Sequence, residues 1–214
     1  ASYIADSGRR VLLVDSDLRR PRQHKIFDLS NRRWGLTSLL VNGLEAGYHA
    51  VRASKIPDLG VLTSGPLPPN PSELLGSKRM SDLLARMRNK ADLVILDSPP
   101  VLAGADAAVL ARQVDGTLLL VEAGKTRRTA AQQALQALDQ VGAHVLGVVL
   151  NKVDTGNGRY YYYYHSDYHS DNGHNDPAEE RVLDKARDAV TPGTRTESVE
   201  ASLRRILRDP PTDV

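Results

Sequence analysis

Short apolar runs that end in polar residues alternate with stretches of helical periodicity along most of this chain. In the first run, residues 11–14 are all aliphatic, and Asp15, Ser16 and Asp17 follow directly. An unbroken apolar run of this kind is typical of a strand that is buried on both faces of a parallel sheet. By the same pattern we expect strands over residues 11–15, 60–63, 93–97, 117–121 and 145–151.

Helical periodicity lies between the predicted strands. In one stretch the apolar residues recur at i, i+3, i+4 and i+7, which predicts a helix packed through one face by Met80, Leu83, Leu84 and Met87. A second helix is predicted over about residues 126–141, capped by Thr126, with inward-facing Leu135, Leu138 and Val141. Strands that alternate with helices indicate an α/β fold, with a mostly parallel sheet flanked by helices.

Local chemistry marks two further helix boundaries. Residues 70–73 place an asparagine before a proline and a glutamate, which predicts the start of a short helix. Residues 1–7 followed by Gly8 predict a helix that ends at a glycine stop. A helix therefore precedes the first predicted strand.

The pattern of apolar residues stops after Asp154. Residues 155–177 show no hydrophobic period and are rich in Gly, Asn, Asp, His, Ser and Tyr, so we expect a flexible tail there. Residues 178–214 are a polar extension in which one apolar stripe suits a short amphipathic helix: Val199, Leu203, Ile206 and Leu207. The predicted organisation is an ordered domain over residues 1–154, a tyrosine-rich tail over 155–177 and the extension over 178–214.

Composition narrows the class of protein. With 214 residues, 41% of them hydrophobic and 25% charged, the chain is long enough for one domain with a sizeable core. The net charge of +2 gives no reason to expect a nucleic-acid partner, and the lack of cysteine excludes thiol catalysis and thiolate metal sites. No apolar run approaches the length of a membrane span, and no signal-peptide pattern is present, so we expect a cytoplasmic location.

Carboxylates end two of the predicted strands. Asp15 closes the first strand, with Asp17 two residues later, and Asp97 closes the strand over residues 93–97. The carboxyl ends of parallel strands meet at one edge of the sheet, where open α/β folds bind ligands. Two such carboxylates suit a hydrated Mg²⁺, which takes one or two of them together with phosphate oxygens. The alternative is that each acid only caps the loop or helix that follows it.

Several motifs occur together in a fixed order. Residues 11–21, VLLVDSDLRRP, resemble a Walker A′ motif, and residues 93–100, LVILDSPP, resemble a Walker B motif. Further matching stretches follow the order of the same family: residues 68–75, 101–111, 114–126 and 146–154, and a tyrosine cluster near residue 160. On these motifs, roughly residues 1–170 resemble the bacterial protein-tyrosine kinases of capsule and exopolysaccharide biosynthesis, which are P-loop NTPase-like proteins of the MinD/ParA superfamily.

This resemblance implies the cofactors ATP and Mg²⁺ and assigns roles to the acids. It implies that Asp15 and Asp97 reach the metal directly or through water. Asp17 is implied to orient or deprotonate the incoming tyrosine hydroxyl, although the roles of Asp15 and Asp17 are exchangeable. Arg19 is the candidate for offsetting phosphate charge or for binding the acids of a neighbouring copy, with a solvated basic turn as the alternative.

A candidate nucleotide-base contact lies at the end of the last predicted strand. Residues 151–154, Asn-Lys-Val-Asp, match the NKxD pattern with which GTPases read guanine, but the surrounding motifs favour adenine. We therefore expect Asn151 and Lys152 to bind the nucleotide. The alternative for Asn151 is a cap at the end of the strand.

One part of the family pattern is missing. The Walker A sequence G-x-x-x-x-G-K-[ST] does not occur in these 214 residues. We expect the first strand, this loop and most of the first helix to precede Ala1; the rival interpretation is a natural loss of the loop, which gives a pseudoenzyme. Because the loop binds the phosphates, we expect these residues alone to be inactive. A missing central strand would also leave ladder groups unpaired and lower stability.

Six of the eight tyrosines lie between positions 160 and 168. The resemblance implies phosphorylation in trans, in a homo-oligomer, at Tyr160, Tyr161, Tyr162, Tyr163, Tyr164 and Tyr168. It also implies a partner: a membrane-bound chain-length or export activator, separate or fused, at the inner face of the cell membrane. Two other functions stay open: a MinD/ParA-like positioning or partition ATPase, and a non-catalytic regulatory domain of polysaccharide export.

Overall fold

The computed structural model describes residues 1–43 and 50–153. The strands are β1 (Val11–Asp15), β2 (Val51–Ala53), β3 (Leu59–Leu62), β4 (Leu93–Asp97), β5 (Thr117–Glu122) and β6 (Val145–Asn151). The helices are α1 (Ser2–Asp6), α2 (Gln23–Ile26), α3 (Leu36–Asn42), α4 (Pro71–Leu75), α5 (Lys78–Arg88), α6 (Asp106–Ala111) and α7 (Arg128–Gln140), with a 3₁₀ turn at Val101–Ala103.

The larger sheet has the order β2-β3-β1-β4, and β1 lies in its interior. β1 is parallel to both β3 and β4, whereas β2 pairs antiparallel with β3 at the edge. The register sets Val14 opposite Leu62 on one side of β1, and Asp15 opposite Asp97 on the other. The carboxyl ends of the three parallel strands therefore lie together.

The strands β5 and β6 form a separate parallel pair. Among the described residues, β4 and β5 are each hydrogen-bonded to a strand on one side only. Parallel strands are usually paired and covered on both sides, because their backbone groups and apolar side chains are both costly to expose. The free edges of β4 and β5 are therefore open positions for strand pairing.

Alternate residues of β1 supply two cores on opposite faces of the larger sheet. Leu12 and Val14 pack with α3 and α5, and the inward positions predicted for α5 are all buried in that core: Met80, Leu83, Leu84 and Met87. Val11 and Leu13 pack on the other face against Ala5 of α1. Because both faces are covered, every residue of β1 is buried, including Asp15.

The pair β5–β6 is only partly covered within the described residues. Leu119 is buried, as are Ala134 and Leu138 of α7. Within β5 and β6, the large apolar side chains with half or more of their surface exposed are Leu118, Leu120, Leu146, Val148 and Leu150. The pattern of unbroken apolar residues predicted burial on both faces, and β6 departs from it, because its consecutive residues 148–150 are all exposed. Among the described residues, no helix has the length and apolar character that a membrane span needs.

An ion pair joins the two strand beginnings that lie opposite the carboxylates. Arg10 donates from its backbone N to Asp92 Oδ2 at 2.8 Å and from Nη2 to Asp92 Oδ1 at 2.6 Å. The Arg10 side chain lowers the pKa of Asp92 to about 2, so this contribution to stability is present above about pH 4 and is lost as the pH falls towards 2. Both side chains are partly exposed, so the pair contributes about 1 kcal/mol or less.

Most predicted elements are confirmed, with two corrections. The five predicted strands and the helices at residues 80–87 and 70–73 are present. The helix predicted from Thr126 begins at Arg128, and Thr126 is not its cap, because its Oγ1 accepts a hydrogen bond from the Glu122 backbone N at 2.9 Å. The edge strand β2 was not predicted, since it has three residues and is only partly covered.

Two glycines cross beside the carboxyl end of β3. A Cβ built on Gly35 would lie 2.5 Å from the Thr63 carbonyl oxygen and from the Gly65 Cα, and it would also meet the Gly65 backbone N. Backbone atoms cannot move aside as the end of a side chain can. The segment that leads into α3 therefore reaches the sheet only because residue 35 has no side chain.

We predict that Gly35→Ala lowers the free energy of unfolding by about 3 kcal/mol or more, the upper end of what overpacking costs. Urea denaturation measures the change. The matched control is Gly147→Ala in β6, where a Cβ meets nothing within 4 Å, and we expect a change below about 1 kcal/mol. Equal stability of the two variants would contradict the close crossing.

Candidate active site

Asp15 and Asp97 lie side by side at the carboxyl edge of the larger sheet. They are the last residues of the neighbouring strands β1 and β4, and their Cα atoms are register partners. Asp15 is fully buried and Asp97 is half-buried. Both acids were predicted from sequence to lie at strand ends. The strand register sets them opposite each other, so that one ligand can contact both.

The chain after β1 turns back and donates hydrogen bonds to both carboxylates. Asp15 Oδ2 accepts from the backbone N of Arg22 at 3.1 Å and from that of Gln23 at 2.9 Å. The Gln23 side chain donates from Nε2 to Asp97 Oδ2 at 2.6 Å. Gln23 was missed from sequence, because nothing in a polar turn after a strand singles out one glutamine.

Two polar atoms at this position are buried without a partner. Within the described residues, neither Asp15 Oδ1 nor the hydroxyl of Ser16 has a hydrogen-bond partner. Burial raises the pKa of Asp15; the backbone N–H of Gln23 lowers it in part, and the nearby charge of Asp97 raises it again. An ionised Asp15 is therefore costly unless a positive group lies close to it.

These residues fit a divalent cation of the magnesium type. Mg²⁺ prefers carboxylate oxygens, takes one or two of them, and keeps water or phosphate oxygens as its other ligands. Asp15 Oδ1 is an oxygen of the right chemistry that is buried and unpartnered. No group of three or more His, Cys, Asp or Glu side chains that could hold a metal occurs in the described part of the chain. A cation here would share its coordination with a ligand.

Asp17 is held by the loop that contains it. Its Oδ1 accepts hydrogen bonds from the backbone N of Arg19 at 3.1 Å and of Arg20 at 2.8 Å. Asp17 is half-buried, and its Oδ2 has no hydrogen-bond partner among the residues described. One oxygen is therefore positioned by the loop, and the other is available to a hydroxyl group.

Arg19 is engaged with a buried acid. Its Nε lies 2.5 Å from Asp106 Oδ2 and its Nη2 lies 3.2 Å from Asp106 Oδ1, while the Ser72 hydroxyl also donates to Asp106. The hydrogen bond from Arg19, and to a smaller extent that from Ser72, lowers the pKa of Asp106. The Arg19 side chain is about half exposed at 45%, but its guanidinium joins the loop after β1 to α4 and α6. Sequence reasoning missed Asp106 and Ser72.

The candidate base contacts lie at the end of the second strand pair. Asn151 Oδ1 accepts a hydrogen bond from the backbone N of the adjacent Lys152 at 2.9 Å. Lys152 Nζ lies 3.0 Å from Glu122 Oε1, and this bond, followed by one from Lys125, lowers the pKa of Glu122. Both candidates are therefore on the strand end that was predicted for them. The six candidate phosphorylation sites lie outside the described residues.

The fold and the paired strand-end acids define a class, the P-loop NTPase-like α/β proteins. The putative tyrosine-protein kinase CapB of Staphylococcus aureus is 39% identical over 165 residues, which cover 76% of this chain and 71% of the relative. Tyrosine-protein kinase YwqD of Bacillus subtilis (strain 168) is 43% identical over 164 residues, which cover 77% and 68%. The chain belongs to the family of bacterial tyrosine-protein kinases. No protein-family model matches it.

Solved structures agree with this assignment. The kinase domain of Escherichia coli tyrosine kinase ETK is similar with a TM-score of 0.67 and 38% identity, over 71% of this chain and 59% of that one. The cell division ATPase MinD of Pyrococcus furiosus has a TM-score of 0.58 at 20% identity, over 96% of this chain and 88% of that one, and shows the fold alone. The sequence-based prediction of family and fold is confirmed, and the positioning ATPase is not favoured.

We predict that Asp106→Asn lowers the free energy of unfolding by about 1.5–3 kcal/mol at pH 7, the range for hydrogen bonds to charged groups. Because folding lowers the pKa of Asp106, its contribution is present above the usual Asp pKa of about 3.9 and is lost as the pH falls through the folded-state value. The difference from wild type should therefore shrink below about pH 4.

Urea denaturation at several pH values measures this difference. Asp139→Asn is the matched control, since Asp139 is exposed near the end of α7, and we expect it to change stability by less than about 0.5 kcal/mol. A difference between wild type and Asp106→Asn that does not change with pH would show that the Asp106 charge contributes nothing.

Proposed function

We propose that this chain carries the acidic half of the active site of an ATP-dependent, autophosphorylating protein-tyrosine kinase that regulates capsule or exopolysaccharide synthesis and export. The observation that carries the proposal is the pair Asp15 and Asp97, adjacent in register, with a buried oxygen of Asp15 left unpartnered. Membership of the tyrosine-protein kinase family supplies the reaction class.

The acids divide the chemistry between them. Asp15 and Asp97 would hold Mg²⁺, which supplies positive charge to neutralise the phosphates of ATP. Asp17 Oδ2 would accept the hydrogen bond of the incoming tyrosine hydroxyl and take its proton as the oxygen attacks the γ-phosphorus. The bond from that phosphorus to the β–γ bridging oxygen breaks, and ADP leaves. General-base help of this kind is a modest term, since phosphoryl transfer depends mainly on positioning and charge.

Arg19 receives a narrower role than the resemblance implied. Its guanidinium is bonded to Asp106, while its backbone N donates to Asp17 Oδ1. We propose that Arg19 positions Asp17, with phosphate charge offset by the exposed part of the same guanidinium. Asn151 and Lys152 would lie beside the nucleotide base at the carboxyl end of β6.

The phosphate-binding half of the site needs a further strand. A Walker A sequence does not occur in the 214 residues, and among the described residues β4 and β5 each have an unpaired edge. We propose that a strand bearing the phosphate loop pairs with these edges, so that its loop faces Asp15 and Asp97 from the same end of the sheet.

The tyrosine-rich tail is the proposed phosphate acceptor. We propose that residues 155–177 enter the site of a second copy, so that the kinase works as a homo-oligomer, while residues 178–214 form a separate extension. A membrane chain-length or export activator would hold the kinase at the inner face of the membrane. The chain spans 21% of tyrosine-protein kinase etk of Escherichia coli (strain K12), a much longer relative, which leaves room for a fused activator in proteins of this kind.

We predict that the 214 residues alone transfer no phosphate, and that they gain activity when a strand with a Walker A loop is joined upstream of Ala1. Phosphotyrosine mass spectrometry after incubation with ATP and Mg²⁺ measures the products. Phosphate is expected on Tyr160–Tyr164 and Tyr168. Turnover without the added loop would contradict the phosphate-loop proposal, and an unmodified tail with the loop present would contradict the kinase proposal.

In the active, loop-bearing protein, we predict that Asp17→Asn lowers the rate of tyrosine phosphorylation by about 10²-fold, the lower end of general-base effects. The amide keeps an oxygen for the backbone bonds from Arg19 and Arg20 but cannot take the proton. Asp139→Asn serves again as the control and should leave the rate unchanged. A rate within twofold of wild type would remove Asp17 from the proposed mechanism.

A further inference from the structure

We propose that Gln23 is a positioning residue that presets Asp15 and Asp97 for the cation. This inference rests on the proposed cation site and assigns to it a side chain with no part in the motifs of the family resemblance. Gln23 is the described residue that bonds to both acids: its backbone N donates to Asp15 Oδ2, and its Nε2 donates to Asp97 Oδ2.

Each carboxylate is bonded in the same way, through one oxygen. The Oδ2 atoms of Asp15 and Asp97 accept hydrogen bonds from Gln23 at 2.9 and 2.6 Å. Among the described residues, Asp15 Oδ1 is buried without a partner and Asp97 Oδ1 has no hydrogen bond. One oxygen of each acid is therefore fixed, and the other is left for a ligand. Groups outside a metal's own ligands commonly orient those ligands in this manner.

The chemistry of an amide suits this position. A lysine or arginine would bring a positive charge beside the cation, and a glutamate would add a third negative charge to two carboxylates that already repel. The neutral Nε2 of glutamine donates a hydrogen bond without changing the net charge. The Gln23 backbone is itself held, because its carbonyl oxygen accepts from the Phe27 backbone N at 3.0 Å.

The test is to titrate the 214-residue chain with Mn²⁺ and to measure the free ion by electron paramagnetic resonance. Gln23→Met keeps the length of the side chain and removes its donor, and we expect it to weaken Mn²⁺ binding about 10-fold or more, as is usual for loss of an orienting group. The matched control is Gln133→Met on the exposed face of α7, which should bind as wild type does.

A coupling experiment separates positioning from a general structural effect. In an Asp97→Ala background, Gln23→Met should change Mn²⁺ affinity by less than about twofold, because the amide no longer has its carboxylate to hold. Circular dichroism checks that each variant is folded, and Gln23→Ala replaces Gln23→Met if the latter is not. Wild-type affinity in the folded Gln23 variant, or an equal loss in the Asp97→Ala background, would overturn the inference.

The outcomes also distinguish this inference from the proposed function. If the wild-type chain binds Mn²⁺ and the Gln23 variant binds it equally well, the cation site stands and the role of Gln23 fails. If wild type does not bind Mn²⁺, or if Asp15→Asn binds it as wild type does, the cation site at these acids fails, and the role of Gln23 fails with it.

Discussion

The burial of one carboxylate governs this site. Asp15 ends a strand whose residues are all buried, because β1 is flanked by β3 and β4 and covered on both faces. Burial and the charge of Asp97 both raise the pKa of Asp15, whereas the backbone N–H of Gln23 lowers it. A chain that places two acids here bears a cost in stability, and a bound cation would remove much of that cost.

The rest of the structure holds the acids in that arrangement. Arg10 and Asp92 join β1 to β4 at one end, so that the same register brings Asp15 to Asp97 at the other. Arg19 and Asp106 anchor the loop after β1 to α6, and this loop supplies the N–H groups that bond to Asp17. The carboxylates therefore depend on contacts between residues that are far apart in sequence.

Contacts between residues far apart in sequence could not be predicted, whereas local patterns could. The strands and Asp15, Asp17 and Asp97 were predictable, because an apolar run closed by an acid is a local pattern. The bonds of Gln23 to Asp97 and of Arg19 to Asp106 span 74 and 87 residues, and no local pattern marks them. The family resemblance predicts that Arg19 offsets phosphate charge; because it compares residue types, it could not show that the Arg19 guanidinium also bonds to Asp106.

The incomplete cover of β5–β6 also lay beyond what a local sequence pattern could predict. Unbroken apolar strands predict cover on both faces, and this remains a correct statement about what such side chains require. Within the described residues, Leu119 is buried, but Leu118 and the consecutive residues 148–150 are exposed, and β4 and β5 keep free edges. The free strand edges and the carboxylates that need a positive charge lie in the same part of the fold. A strand with a phosphate loop between β4 and β5 would meet both, since it would pair the edges and bring lysine and backbone N–H groups to the acids.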